Sequence, residues 1–313
     1  MNMGRVTKTP YVTPSTQRSA GLRRDGLGPI GAAARLLLLL LLAVFFGLPL
    51  LWLLLAPTKT DSQLTDWMPI AFGSFARVGE AWKNLTDFSD GIVLRWGWNS
   101  ITYTLGSLLI GLAVTLPAGY GLATSHFAGR RLIIWLTLIT MIIPSSALVL
   151  PLFLELSFVR LANTPWAVIL PAAFFPFGVY LAYIFYATSL PPDLLAAARV
   201  DGCNEWQLFI NIGLPLSRAL LGLLTFVSFT ANWNNYFLPY VMLNNSDLFN
   251  LPVGLQVLMT GTSALRPTFA TDLPIHRAEV ALAGLLLVIP VALVFLYSQR
   301  FVVSGALTGA TKE

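Results

Sequence analysis

The chain is poor in the residues that carry out chemistry. Only 11% of its 313 residues are charged, against roughly 25% in soluble domains. It has one cysteine, Cys203, which excludes an intrachain disulfide and leaves the redox compartment unencoded. It has two histidines, His126 and His276, too few beside one cysteine for a dedicated transition-metal site. No G-x-x-x-x-G-K-[ST] loop is present, so the chain has no phosphate cradle of that kind. No nucleophile–base set can be assembled for an embedded enzyme. The net charge of +5 means little as a total, and nucleic acid is not an expected partner.

What is abundant is apolar sequence, 56% of the chain. A spanning helix needs about 20 mostly apolar residues, and six stretches qualify: Leu36–Ala56, Trp98–Ala123, Leu132–Leu154, Trp166–Ala187, Ala219–Leu243 and Val280–Gln299. No Asp, Glu, Lys or Arg interrupts any of them. That argues against an ion- or proton-driven carrier, which keeps ionisable groups in the bilayer. The first stretch is too long for a signal peptide and reads as a retained anchor. The expected fold class is therefore an all-α membrane protein with six transmembrane helices.

Basic residues set an expected orientation. With the N-terminus in the cytoplasm, that side holds Arg5, Lys8, Arg18, Arg23, Arg24, Arg35, Arg130, Arg131, Arg199, Arg218, Arg300 and Lys312. These are twelve of the 19 basic residues, and the acidic residues favour the other side. The positive-inside rule selects this arrangement, with both termini cytoplasmic and the chain multi-pass in a cell membrane. The expected divisions are a basic tail (1–34) that reads as disordered and close to anionic lipid, an anchor (35–56), an external loop (57–97), a core (98–300) and a C-terminal tail (301–313). The first outer loop carries Trp67, Phe72, Phe75, Trp82 and Phe88. The other outer loops are Glu155–Pro165 and Asn244–Glu279. His126 and His276 fall on opposite sides. Prolines 49, 117, 144, 151, 171, 176 and 290 punctuate the spans, and each can kink its helix.

One polar segment stands out between the fourth and fifth spans, residues 191–215. Pro191-Pro192 suits a helix start, and Asp193 lies near the positive end of that helix dipole. Gly202 suits a left-handed helix end, and Asn204 suits an N-cap. Trp206, Phe209 and Ile210 share one face at the i, i+3, i+4 spacing. The expectation is two short helices joined at Gly202, with an aromatic face for a partner or for the chain's own spans. A second cluster, Asn232, Trp233, Asn234, Asn235 and Tyr236, is the dense polar–aromatic group near a span. It suits either a solute pathway or interfacial anchoring.

The cytoplasmic segment resembles the coupling loop of ABC importer permeases, E-A-A-x-x-x-G, nine residues, then I-x-L-P. Here Ala196, Ala197, Ala198, Gly202, Ile212, Leu214 and Pro215 keep that spacing, with Asp201-Gly202 as the common D-G. The family's leading glutamate is Ala196 in this chain. Asn163-Thr164, the run Trp233–Phe237 followed by Pro239, and the tail resemble the carbohydrate branch, the maltose-type second permease subunit. The tail matches that branch's F-V-x-G-L-T-x-G-A-x-K ending at Phe301, Val302, Gly305, Gly309, Ala310 and Lys312, with Leu-Thr shifted by one.

The resemblance implies a permease subunit without its own ATP site and without a cofactor of its own, ATP and Mg residing in partner subunits. Implied partners are a companion permease, two ATPase subunits, an extracytoplasmic solute-binding protein and membrane lipid. It implies ATPase coupling through Ala196, Ala197, Ala198, Asp201, Gly202, Trp206, Phe209, Ile212, Leu214 and Pro215. Gly305, Gly309 and Lys312 are the implied tail contact with the ATPase. The cargo is expected to be a sugar or oligosaccharide; the alternatives are an importer of another solute and a secondary transporter.

Overall fold

The computed structural model describes residues 29–262 and 275–310, with side chains through 299. It is helical, with no strand among the described residues. Met1–Pro49 and Leu50–Glu313 are two separate units. The first unit's described part is the start of α1 (Pro29–Leu55), an apolar helix whose Pro49 coincides with the division between the units.

In the second unit, α2 (Asp61–Asp66) and α3 (Phe75–Asp87) occupy residues 57–97, the segment expected as the first outer loop. Then follow α4 (Ile92–Thr124), α5 (Arg130–Ile142), α6 (Ser145–Phe158), α7 (Trp166–Ala173) and α8 (Pro176–Ser189). The polar segment supplies α9 (Pro192–Val200), α10 (Glu205–Leu208) and α11 (Leu214–Leu216), with a π-turn at Phe209–Gly213. The chain closes with α12 (Arg218–Trp233), α13 (Phe237–Met242), α14 (Leu251–Gly261) and α15 (Arg277–Ala310).

Among the described residues, four helical stretches are long and apolar enough to cross a membrane, or up to six if each bent pair is one span. The third expected span is not one helix. Its halves, α5 and α6, meet at 106°, because Pro144 removes a backbone donor and forces Ile143 out of the helical region. The fourth breaks between α7 and α8, just before Pro176. The fifth is also shorter than expected: α12 ends at Trp233, and α13 resumes after Asn234–Tyr236. The expected outer loop Asn244–Glu279 contains an apolar helix, α14, with Leu251, Val253, Gly254 and Leu258 buried.

The central element is α4, which packs against α7, α8, α12 and α14. Its small residues permit this. A Cβ on Gly119 would lie 2.4 Å from Ala182 Cβ, so glycine sets the α4–α8 spacing. At its N-terminal half, Asn99 Nδ2 donates to Asp247 O (2.7 Å), Trp96 Nε1 to Ser246 O (2.8 Å) and Tyr103 Oη to Leu248 O (2.8 Å). These bonds stitch residues 246–248 to the helix.

Residues 57–97 are also built, not loose. Glu279 is fully buried at the start of α15 and accepts from Arg77 Nη2 (3.3 Å), Asn84 Nδ2 (3.1 Å) and His276 N (3.0 Å). His276 Nδ1 lies 3.3 Å from Asp61 Oδ2. Buried Lys59 donates to the carbonyls of Met68 and Pro69 (3.1 and 2.9 Å). Such satisfaction is what burying polar and charged groups requires.

Candidate functional site

The polar segment folds as its residues dictate. Pro191 and Pro192 start α9, where a missing N–H costs nothing. The helix ends at Gly202 (φ +86°). There Gly202 N donates to Arg199 O (3.1 Å) and Cys203 N to Ala198 O (3.0 Å), the paired bonds that use up the last helical carbonyls. Asn204 Oδ1 then accepts from Gln207 N, and Gln207 Oε1 from Asn204 N, both at 2.9 Å. This reciprocal cap satisfies two orphan donors of α10. Arg199 bridges the turn to Glu205 through Nε–Oε1 (2.8 Å) and Nη2–Oε2 (3.3 Å). Those hydrogen bonds push the guanidinium further above its ordinary pKa.

The segment sits on a core built by three other helices. Leu195, Leu208 and Phe209 pack with Leu116 and Tyr120 of α4, Ala182 and Tyr186 of α8, and Leu220 and Leu224 of α12. Phe209 lies 5.3 Å from the Tyr120 ring, and Tyr120 meets Tyr186 edge-on at 5.5 Å. Tyr186 Oη and Ser217 Oγ are hydrogen-bonded at 3.0 Å.

The expected aromatic face is therefore split. Trp206 is 62% exposed, whereas Phe209 is 5% exposed. Phe209 is not available to a partner, because the chain's own α4 takes its ring. Ala196, Ala197, Asp201, Gly202 and Pro215 lie on the surface, and Ala198, Ile212 and Leu214 are half-buried. Exposed Leu194, Val200, Trp206 and Ile210 form the apolar part of this surface.

The second cluster lies at the opposite ends of α8 and α12. A cavity of about 500 Å³ is lined by Asn232, Asn234, Asn235 and Tyr236. Three helix breaks converge on it. Ile143, Ser145 and Ser146 come from the α5–α6 bend, Phe174, Phe175 and Pro176 from the α7–α8 break, and Asn234–Tyr236 from the end of α12. Interrupted helices expose backbone polar groups, which a polar cavity can solvate or offer to a ligand.

Trp233 does not share this role. It is 4% exposed, stacks on Phe229 at 5.6 Å and donates to Leu287 O at 3.0 Å. Its indole belongs to the core with α15, because a helix turns successive side chains by about 100°. Thr140, Ser145, Ser146, Phe174, Phe175 and Ser228 line the cavity but were not singled out from sequence. Pro144 and Pro176 were the signal, since each marks a break beside them.

The tail residues Gly305 and Gly309 continue the backbone of α15, and Lys312 lies outside the described residues. Among the described residues no group of His, Cys, Asp and Glu could hold a metal ion.

Helical described residues with several apolar stretches, interrupted helices around a cavity that carries asparagine, serine and aromatic side chains, and a capped polar elbow have the build of a membrane transport subunit. The chain belongs to the family of binding-protein-dependent transport system inner membrane components, whose model matches residues 115–306. It is 34% identical to the arabinooligosaccharides transport system permease protein AraQ of Halalkalibacterium halodurans, over 71% of this chain and 75% of that one. It is 30% identical to the lactose transport system permease protein LacG of Rhizobium radiobacter, over 85% and 92% of the two chains. Its fold matches a chain in the crystal structure of a bacterial ABC transporter involved in import of the acidic polysaccharide alginate. That match has a TM-score of 0.73 at 20% identity, covering 93% of this chain and 99% of that one.

Proposed function

We propose that the chain is one membrane half of an ATP-driven importer for a sugar or oligosaccharide. It pairs with a companion permease, receives solute from an extracytoplasmic binding protein and is driven by two separate ATPase subunits that hold ATP and Mg. The chain itself has no cofactor. Both termini and the elbow around Gly202 face the cytoplasm, and six spans cross the membrane, the third of them as the bent pair α5–α6.

The observation that carries this reading is the elbow: a turn capped on both sides and seated on α4, α8 and α12, with Trp206, Ala196 and Ala197 all exposed. A stiff contact of this kind transmits displacement, because packed elements switch between discrete arrangements. Ala196 stands where the family carries glutamate, so the elbow docks without that ion pair. Exposed pairs are worth about 0–1 kcal/mol, and apolar contact through Trp206 carries the docking. Gly305, Gly309 and Lys312 add a contact from the tail.

The cargo reading rests on the names of the relatives and on the cavity chemistry. Asn, Ser and Thr side chains beside Phe174, Phe175 and Tyr236 supply the hydroxyl partners and ring faces that a carbohydrate uses.

The test is reconstitution with companion permease, ATPase and binding protein in vesicles. Labelled oligosaccharide should enter only with ATP, and a crosslinker on Cys203 should capture the ATPase. Uptake that needs neither ATP nor partners would overturn the reading.

A further inference from the structure

Away from both surfaces, the turn joining α4 to α5 carries an uncompensated cluster of positive charge. α5 opens with Arg130 and Arg131 and has no acidic residue in its first turn and no side-chain cap. Cations there oppose the positive end of the helix dipole. His126, Arg130 and Arg131 make no ion pair among the described residues. The Arg130 guanidinium lies 5.8 Å from the Tyr183 ring centre, and its Nε is buried without a hydrogen-bond partner. These groups line a cavity of about 580 Å³ in which no carboxylate appears.

A second, apolar groove of about 330 Å³ adjoins it, lined by Pro117, Ala118, Gly121, Leu122, Ile133 and Val179. Phe127 lines both spaces. The groove exists because α4 presents small residues there: a Cβ added at Gly121 would meet nothing within 4 Å.

We propose that these two spaces form one site for an anionic phospholipid. The phosphodiester occupies the basic cavity, where it supplies the charge that α5 lacks, and one acyl chain lies in the groove. Basic pockets between membrane helices bind anionic headgroups. The adjoining groove is what selects a lipid over free phosphate, which has no use for apolar surface. The site touches neither the elbow nor the polar cavity, so it is a separate property of the chain.

The complete transporter, extracted from vesicles of equal phosphatidylglycerol and phosphatidylcholine, provides the test, with lipid mass spectrometry as the readout. The wild type should retain phosphatidylglycerol preferentially. The double variant Arg130→Gln/Arg131→Gln should bind it about thirty-fold more weakly, roughly five-fold per charge. Arg130→Lys/Arg131→Lys should keep most of the retention. Gly121→Leu fills the groove without a backbone clash and should also release the lipid while the assembled transporter elutes unchanged. Equal retention by the double glutamine variant would overturn the site. So would displacement of all phosphatidylglycerol by millimolar inorganic phosphate, which would mark a free-anion pocket. Loss of the companion permease on Gly121→Leu would overturn it too, by making the groove a subunit contact.

Discussion

Trp206 and Phe209 have ring centroids 5.4 Å apart, yet one is 62% exposed and the other 5%. One turn of the same short segment thus presents an aromatic to the outside and plants another in the core. The two residues should fail in different ways when truncated.

Phe209→Ala should destabilise the protein by about 3–5 kcal/mol, the usual cost of emptying a core phenylalanine site. Thermal unfolding of the purified transporter would register it. Trp206→Ala should leave unfolding unchanged but weaken ATPase binding by thirty-fold or so, as truncation of an aromatic hot spot does. Equal stability losses in the two variants would contradict this assignment.

Gly202 stands at φ +86° with open space where a Cβ would go, so backbone strain alone limits substitution. Gly202→Asn should be tolerated, because Asn enters the left-handed region. Gly202→Val should cost about 1–2 kcal/mol and uncouple transport from ATP hydrolysis. Gly202→Asp strains the backbone no more than Asn does, so it should insert normally; the carboxylate it adds to the docking surface should abolish transport-linked hydrolysis, read in reconstituted vesicles.

In the cavity, Asn232→Leu and Asn235→Leu should lower solute uptake several-fold while basal ATP hydrolysis stays near the wild-type rate. Trp233→Ala should instead lower the melting temperature, since its indole is packed against Phe229 and bonded to Leu287 O. Uptake lost in Trp233→Ala with no change in melting would contradict its core role.

Gly254 packs against the Trp96 ring closely enough that a Cβ would come within 2.0 Å of it. Gly254→Ala should therefore overpack the outer core and cost about 1–3 kcal/mol. At the neighbouring anchor, Glu279→Ala removes the acceptor of Asn84 Nδ2 and His276 N and leaves Arg77 with Glu80 alone. The buried donors left unpaired should cost about 1–3 kcal/mol, and both losses are measurable by thermal denaturation.

Much of this was legible in the sequence for a simple reason: charge-free apolar runs have one physical use. The elbow was legible as well, because Pro192, Gly202 and Asn204 each encode a local backbone state that needs no tertiary help. The breaks were only half legible. Pro144 marks a possible kink, but the 106° turn depends on what α5 and α6 each pack against. Trp233 sits beside its asparagines in sequence but not on the helix, so its place in the core is not legible from the run of residues alone. Likewise α14, at 11 residues, is too short for a span and reads as loop in the sequence, although Leu251 and Leu258 are buried and the helix packs against α4 and α15.

Helices α8 and α12 each have one end in the seat of the elbow and the other at the wall of the polar cavity. They are 14 and 16 residues long, which makes each a rod of about 21–24 Å. A tilt of only about 10° at one end of such a rod sweeps the other through about 4 Å, comparable to the width of a sugar hydroxyl with its water. Leverage of that size means that a small rotation at the elbow is enough to reshape the cavity mouth, with no helix needing to melt.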